Sequence, residues 1–382
     1  MLRVLTLSTL FPDATRPGFG VFVERQTLGL AARTGIEVEV VAPVGRPPWP
    51  VTLHPHYRDR TAAPRHQNRN GLSVHRPGFR VWPRLGDAGA ARRLVAAVLP
   101  LARSLRCEVV DAEFFWPDGV AAMHVARALG LPFSIKARGS DIHYWGARPA
   151  IRRQMLEAAE ASGGLLAVSE ALKRDMAALG MPGDKIRVHY TGIDLERFRP
   201  QPRDALKAAL GVSGPLIVTP GNLVPLKGQA LAIEAVGELP GATLLIAGEG
   251  PERAALEARI VATGLSGRAR LMGAVPPAEM PSLLAAADLM VLPSEREGLA
   301  NVWIEALACG TPILVPDVGG AREVVDRPEA GRLVPREAKA IAAAARGMLA
   351  FPPAPDAVRK AAERFSWERN ASELEAHLRA LL

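Results

Sequence analysis

Glu297 and Glu305 are two carboxylates separated by seven residues in the stretch SEREGLANVWIEALACGTPIL (294–314). Carboxylates accept bidentate hydrogen bonds, so this residue type suits a ligand that carries hydroxyl groups. The stretch follows an apolar run at 288–294, and a glycine followed by a second apolar run ends it. This order predicts a strand, a loop that holds Glu297, a helix that holds Glu305 about one turn in, and another strand.

The start of this predicted helix adds a second kind of chemistry. Ligands of open α/β sheets bind outside the carboxyl ends of the strands, so both glutamates are expected to face one crevice. The backbone N–H groups of Ala300, Asn301 and Val302 would lie at the helix N-terminus, where anions bind.

Two further loops have the features of phosphate sites. GNLVPLKG (221–228) follows a strand pattern and precedes a helix, and it offers Lys227 and loop backbone to an anion. Gly20 lies between the first strand and the first helix, where a glycine would let the backbone approach a phosphate closely. Taken alone, the first loop equally suits an ordinary turn with a surface lysine, and the second suits a flexible turn.

The elements that must position these residues alternate along the whole chain. Short apolar runs are separated by longer helical patterns rich in alanine and leucine, which indicates βαβ units and a mostly parallel doubly wound sheet. In the first half the predicted strands are RVLTLS, VEVVAP, CEVVDA, PFSIKA, GLLAVS and KIRVHY. The pattern then restarts with PLIVTP, ATLLIAG, ARLMG, DLMVLPS and TPILVP.

Three segments fall outside this alternation. Residues 191–204 are rich in Pro, Arg and Asp and are interpreted as a linker between two domains. Residues 46–84 are rich in Pro, His and Arg and predict an irregular or antiparallel excursion. Residues 366–382 have helical spacing. Two such domains are expected to face each other across a cleft, and domain interfaces are preferred ligand sites.

Composition limits the classes that the chain can belong to. Its 382 residues favour two domains, and 48% hydrophobic with 23% charged residues is ordinary for a globular protein. Two distant cysteines argue against a disulfide or zinc framework and favour a reducing compartment. MLRVLTLSTLF at the start is expected to be a buried strand rather than a signal peptide. No apolar run approaches the ~20 residues of a membrane span.

The chain has a net charge of +8, and its arginines are dense between residues 58 and 106. Either a solvated surface, an anionic membrane surface or an anionic substrate would account for them. Nucleic acid is disfavoured, because aromatic residues make up only 5% and no nucleic-acid-binding motif is evident. The cluster comprises Arg58, Arg60, Arg65, Arg69, Arg76, Arg80, Arg84, Arg92, Arg93, Arg103 and Arg106.

Taken together, these stretches resemble the retaining glycosyltransferases of family 4, which have the GT-B fold and an E-x7-E signature. The match extends over nearly the whole chain, and its details are similar to bacterial enzymes of the teichuronic and colanic acid type. The stretches that carry the resemblance, besides 294–314, are PGFGVFVERQ, DAEFFWPDG, KARGSDI, VSEALKRDM, TGIDLERF, GNLVPLKG, LLIAGEGPER, LMGAVPPAEM and DVGGAREVV.

The resemblance implies roles for the residues of the second half. Glu297 would contact the donor sugar near its reacting face, and Glu305 would hold the ribose. Lys227 would bind the diphosphate. The family usually has Arg where this chain has Asn222, so Lys227 must contribute more, or another basic residue helps.

The N-terminal catalytic position departs from the family. Many members have His where this chain has Arg138, and arginine cannot serve as a base at neutral pH. Arg138 could instead pair with a phosphate or an acidic acceptor. Asp141 and His143 are then the expected groups for polarising an acceptor hydroxyl. With Glu297, Arg138 and Asp141 form the predicted catalytic set.

The overall expectation is a GT-B enzyme with two Rossmann-like doubly wound domains, 1–194 and 195–365, and a final helix, 366–382, that crosses back to the first. It would move a sugar from a nucleoside-diphosphate sugar to a hydroxyl of a glycan or lipid-linked acceptor, without metal or other cofactor. A cytoplasmic location, with peripheral attachment to the inner face of the membrane, is the matching expectation. The alternatives are a sugar-nucleotide-binding protein without turnover and another GT-B enzyme such as an epimerase.

Overall fold

The computed structural model describes residues 1–54, 63–82 and 87–382. The chain divides into two compact units. Unit 1 comprises Met1–Gly192 and Trp367–Leu382, and unit 2 comprises Ile193–Ser366.

Unit 1 is built on an eight-stranded sheet with the strand order β10-β9-β8-β7-β1-β2-β5-β4. All neighbours are parallel except β4 and β5, which form an antiparallel hairpin. A separate parallel pair joins β3 to β6. The strands are β1 Leu2–Leu7, β2 Ile36–Val41, β3 Val44–Arg46, β4 His66–Arg69, β5 Leu72–His75, β6 Gly78–Arg80, β7 Val109–Ala112, β8 Phe133–Ala137, β9 Gly164–Ala167 and β10 Ile186–Val188.

Helices cover this sheet, and its central strands are buried on both faces. Every residue of β7, β8 and β9 is buried, as expected for a parallel sheet between two helical layers. The helices of this part are α1 Val21–Ala31, α2 Ala90–Leu105, α3 Val120–Leu129, α4 Pro149–Ala161 and α5 Glu170–Leu179.

Unit 2 has a six-stranded, fully parallel sheet with the order β13-β12-β11-β14-β15-β16. This is the doubly wound order, in which strands are added first on one side of the first strand and then, from the fourth strand on, on its other side. The switch point lies between β11 and β14. The strands are β11 Leu216–Pro220, β12 Thr243–Ala247, β13 Ala269–Gly273, β14 Leu289–Val291, β15 Ile313–Val315 and β16 Gly331–Leu333. The helices are α6 Arg203–Ala209, α7 Gln229–Gly237, α8 Arg253–Ala262, α9 Met280–Ala286, α10 Asn301–Ala308, α11 Ala321–Val324, α12 Ala338–Ala350 and α13 Pro355–Arg359.

The predicted class of two Rossmann-like doubly wound halves is confirmed. The excursion at 46–84 contains the predicted antiparallel pairing in the β4–β5 hairpin, but β5 also extends the main sheet by pairing in parallel with β2. The parallel β3–β6 pair was not predicted. Its three-residue strands are too short for periodicity to reveal them.

The last helix, α14 Trp367–Arg379, belongs to unit 1, where it packs against α1. His377 of this helix is 4% exposed, and its Nε2 lies 2.7 Å from Oγ of Ser134 on β8. Burial, with smaller effects from Arg187 and Lys136, lowers the pKa of His377 to about 4. The helix is therefore docked through a neutral imidazole.

This docking predicts a loss of stability in acid. The unfolded chain binds a proton at His377 near pH 6.5, whereas the folded chain does so only near pH 4, so the free energy of unfolding falls as pH drops through that window. The loss should be on the order of 3 kcal/mol. Urea unfolding at pH 7.5 and pH 4 tests it against His377→Gln, which cannot titrate. Equal losses in the two proteins would show that His377 is not the cause.

Candidate functional site

In unit 2 the loops after β11 and β14 meet at the point where the strand order reverses. The backbone N–H of Glu295 donates to the carbonyl of Leu226 over 2.8 Å. Gly228 has φ +71°, and a Cβ added there would lie 2.3 Å from the carbonyl oxygen of Pro293. Only glycine fits this position, because both the left-handed backbone and the close approach exclude a side chain.

Lys227 and Glu297 form an ion pair across these two loops. The Lys227 Nζ lies 2.5 Å from Glu297 Oε1, and the two side chains are 21% and 12% exposed. A cation and a carboxylate are thus held together in a half-buried position at the carboxyl ends of the strands. A ligand with an anionic part and hydroxyl groups could bind both side chains, the anion to Lys227 and a hydroxyl group to Glu297.

The start of α10 adds backbone donors beside this pair. No acceptor within the described parts of the chain faces the N–H groups of Ala300, Asn301 and Val302, and no side chain caps the helix. Unsatisfied N–H groups at a helix N-terminus attract anions. Glu305 lies half-buried in the second turn of the same helix. The structure thus brings together, within unit 2, the residues that the sequence singled out there.

The residues after β11 differ in how they are held. The side chain of Asn222 is exposed, and its carbonyl accepts a hydrogen bond from Gln229 Nε2 at 3.0 Å. Arg336 was not identified from the sequence. Its Nε donates to the Pro293 carbonyl at 2.9 Å and its guanidinium reaches the Pro225 carbonyl at 3.3 Å. Arg336 therefore fastens the two loops together from outside.

In unit 1, Gly20 makes the turn that starts α1. It has φ +73°, and an added Cβ would lie 2.5 Å from the carbonyl oxygen of Leu10. The close approach seen here is within the single loop that connects β1 to α1. Approach of a phosphate to Gly20 stays a prediction.

Arg138 is enclosed by other side chains. Its guanidinium pairs with the fully buried Glu113, and its Nε donates to the Glu113 carbonyl at 3.3 Å. It also lies 4.9 Å from the ring centre of Phe22 and within 3.5 Å of the Thr191 hydroxyl. With 7% of its side chain exposed, Arg138 is held as half of an internal ion pair.

Asp141 has both carboxylate oxygens engaged by backbone. It accepts hydrogen bonds of 2.8–3.2 Å from the N–H groups of Phe115, Arg138, Gly139 and Ile142, and it is fully buried. Burial raises its pKa, and these four N–H groups oppose the rise. The geometry gives Asp141 the task of shaping the loop after β8.

A buried cation beside this loop was missed by the sequence analysis. Lys136 of β8 is fully buried, and its Nζ bonds Gln26 Oε1 at 2.6 Å and His189 Nδ1 at 2.8 Å. Burial, then the charge of Arg138, lowers the pKa of Lys136 well below its usual value. Burial likewise lowers the pKa of His189, whose Nε2 faces the carbonyl of Asn370 at 2.8 Å. The signal in the sequence was a lysine, the one charged residue of the predicted strand PFSIKA.

His143, the remaining acceptor-side residue, is paired with Asp175. Its Nε2 lies 2.9 Å from Oδ2 of Asp175, and its side chain is 21% exposed. Among the residues that the structure describes, no group of three or more His, Cys, Asp or Glu side chains could hold a metal ion. Independence from metal stays a prediction.

Comparison with known proteins covers both units. Residues 18–197 match the family Glycosyltransferase Family 4, and residues 203–365 match Glycosyl transferases group 1. A Bacillus subtilis protein whose name assigns it to teichuronic acid biosynthesis, the glycosyltransferase TuaC, is 32% identical over 90% of this chain and 88% of its own. A D-inositol 3-phosphate glycosyltransferase of Segniliparus rotundus is 36% identical over 52% of this chain and 47% of its own.

Solved structures share the fold. HepE of Anabaena, crystallised in complex with UDP, superposes with a TM-score of 0.76 at 20% identity, and the match covers 100% of both chains. The same protein has also been crystallised with UDP-glucose, with a TM-score of 0.75.

Proposed function

The chain belongs to glycosyltransferase family 4 and is a glycosyltransferase of the GT-B type, and from this premise we propose that it transfers a sugar, with retention of configuration, from a nucleoside-diphosphate sugar to a hydroxyl group. The proposed acceptor is a glycan or a lipid-linked glycan of polysaccharide or cell-envelope biosynthesis. The name of the Bacillus subtilis relative supports this acceptor class. The UDP and UDP-glucose complexes of HepE make uridine donors the first to test.

One observation carries the proposal: Lys227 and Glu297 are paired beside the unbonded N–H groups that begin α10. A sugar nucleotide offers a ligand to each of these groups. Its diphosphate suits the ammonium and the N–H groups, its sugar hydroxyls suit Glu297, and its ribose suits Glu305. Binding would then replace the internal Lys227–Glu297 pair with contacts to the donor.

The proposed reaction needs no covalent intermediate on the protein. The acceptor oxygen forms a bond to the anomeric carbon on the face from which the diphosphate leaves. The bond from that carbon to the diphosphate oxygen breaks, and the acceptor proton passes to the departing diphosphate. Lys227 and the helix N–H groups stabilise the developing negative charge, and orientation supplies much of the remaining rate. The reaction requires no metal or other cofactor.

Arg138 and Asp141 enter this scheme as positioning residues. Arg138 is paired with Glu113, and Asp141 is bonded to four backbone N–H groups. Arginine cannot act as a base at neutral pH, and Asp141 could take the acceptor proton only by breaking its contacts. They hold the loop after β8, which lies at the carboxyl edge of the sheet where ligands of such folds bind.

A sugar-nucleotide-binding protein without turnover is the second candidate. Arg138 and Asn222 favour it, because they stand where many family members have histidine and arginine. A donor-hydrolysis assay separates the two, since a binding protein would release no nucleoside diphosphate. The E-x7-E pair argues against the third reading, an epimerase.

We also propose peripheral binding to an anionic membrane surface. The strands β3 and β6 are parallel, so the segments that follow them leave the same end of this pair. These segments carry exposed apolar side chains: Trp49 is 78% exposed, Leu53 63% and Trp82 44%. Aromatic rings favour the headgroup region. Phe79, on β6, is buried, and Tyr57, Arg58, Arg60 and Arg84 lie outside the described residues. No helix in the described parts of the chain is long and apolar enough to span a bilayer.

Sedimentation with vesicles tests this surface. Binding should rise with anionic lipid content, fall at high salt because exposed charges are screened, and weaken in Trp49→Ala/Leu53→Ala. Tyr144→Ala is the matched control, since Tyr144 is 57% exposed. Equal binding to neutral and anionic vesicles, or binding to neither, would leave a soluble acceptor as the better interpretation.

A further inference from the structure

Unit 1 contains a cavity of about 420 Å³ whose wall includes three arginine side chains. Arg46, Arg65, Arg76 and His75 contribute to its wall, together with Gly78. The cavity lies beside the carboxyl end of β5 and against the β3–β6 pair. It contains none of the residues assigned above to sugar transfer.

The β3–β6 pair presents Arg46 to this cavity. Gly45 packs against Val81 and Phe79 on one face of the pair, so Arg46 lies on the other face. There its guanidinium covers Gly78, where an added Cβ would lie 2.8 Å from Arg46 Nε. That Nε is buried and has no hydrogen-bond partner among the described residues.

Arg76 is the most deeply placed of the three. It is 2% exposed, and one terminal nitrogen donates to the Pro12 carbonyl at 2.9 Å, but its Nε is buried without a partner in the described chain. Burial lowers the pKa of Arg76. A buried cation is costly unless an anion or a full set of acceptors faces it.

The carboxylates nearest to Arg76 are already paired. Asp13 lies 3.1 Å from Arg16, and Glu24 lies 2.5 Å from Arg69. Both carboxylates favour the charge of Arg76, but Arg16 and Arg69 oppose it. Arg76 therefore forms no ion pair with a carboxylate of the described residues.

Arg65 and His75 complete the wall. The carbonyl of Arg65 accepts the backbone N–H of Arg76 at 2.7 Å, which fixes the two residues side by side. Within the described chain, none of the guanidinium groups of Arg46, Arg65 and Arg76 is in an ion pair. His75 instead lies 3.0 Å from Glu39, a carboxylate at the edge of the site.

From this arrangement we propose that the cavity of Arg46, Arg65 and Arg76 binds a phosphate-bearing group, as a second anion site that is independent of the proposed donor site in unit 2. Guanidinium groups match phosphate oxygens through paired N–H donors, and three arginines line this cavity. The phosphate belongs either to a lipid headgroup or to a soluble compound, and the two sources share this chemistry.

Calorimetric titration with inorganic pyrophosphate at constant ionic strength tests the site in the full chain. Because the donor site could also bind pyrophosphate, the titrations use Lys227→Ala as the background. Adding Arg46→Gln and Arg65→Gln should weaken the remaining binding about tenfold or more, as expected for lost charged hydrogen bonds. Adding Arg92→Gln, which removes an exposed arginine outside the cavity, should leave it within twofold.

Thermal unfolding without ligand checks that each variant is folded. If the variant with both arginine substitutions does not fold, the test is repeated with Arg65→Gln alone, which changes an exposed position. Vesicles with phosphatidic acid, compared with phosphatidylglycerol, provide the lipid arm. Cavity-dependent binding of either probe supports the site and identifies its source. Affinities that are the same with and without the cavity arginines, or no saturable binding of either probe, would overturn it. A partial loss of pyrophosphate binding in Lys227→Ala, with saturable binding remaining, concerns only the donor site.

Discussion

Glu113→Ala is expected to lower the free energy of unfolding by about 3–5 kcal/mol, the range for removing one partner of a buried ion pair. Glu113 is fully buried and faces Arg138 and Gln26. Its carboxylate also supports the charge of Lys136, which is fully buried as well. Truncation would leave both cations in the interior with less compensating negative charge. Urea unfolding at neutral pH measures the effect.

An exposed ion pair of the same unit is the matched control. Glu157 lies 3.8 Å from Arg127, and both side chains are about 60% exposed, so Glu157→Ala should cost no more than about 1 kcal/mol. Removing both partners in Glu113→Leu/Arg138→Met should be less costly than Glu113→Ala alone. A loss below about 1 kcal/mol for Glu113→Ala would contradict a structural role for this network.

Lys227→Ala is expected to weaken binding of the nucleoside diphosphate by about 1.5–3 kcal/mol, or roughly 10- to 150-fold, because a charged hydrogen bond to the diphosphate is lost. The substitution also frees Glu297 from its 2.5 Å ion pair. The freed carboxylate would repel the diphosphate, so the effect should lie toward the upper end. Calorimetry with the diphosphate of the accepted donor measures it.

Lys339→Ala removes an exposed lysine of unit 2 and should leave this affinity unchanged. Glu305→Ala should weaken binding of the nucleoside itself, through the ribose, whereas Glu297→Ala should mainly lower turnover. If Lys227→Ala bound the diphosphate as tightly as Lys339→Ala, the assignment of Lys227 to the phosphates would be wrong.

The sequence predicted unit 2 well because its information is local. The run at 288–294 contains β14, and the stretch at 301–308 is the helix that carries Glu305. Lys227 and Glu297 were each assigned from the loop that follows a strand. In a parallel sheet such loops meet at one edge, so the topology alone brings the two residues together.

The environment of the residues in unit 1 could not be predicted in the same way. Arg138 lies 25 residues from Glu113 in the sequence, and only the register of β7 against β8 makes them neighbours. Arg76 was grouped with ten other arginines of similar spacing, yet it is 2% exposed. Which arginine is buried depends on contacts between distant segments, and composition does not record them.

Sugar transfer with retention is tested most directly by proton NMR of the purified protein incubated with a panel of nucleoside-diphosphate sugars. The spectra follow the anomeric signals of the donor and of the first product. We expect at least one donor, with uridine donors tested first, to lose its nucleoside diphosphate, and the new anomeric signal to have the configuration of the donor. Product of the opposite configuration would contradict retention. A donor that binds but is never cleaved, with or without lipid-linked and glycan acceptors, would contradict transfer itself.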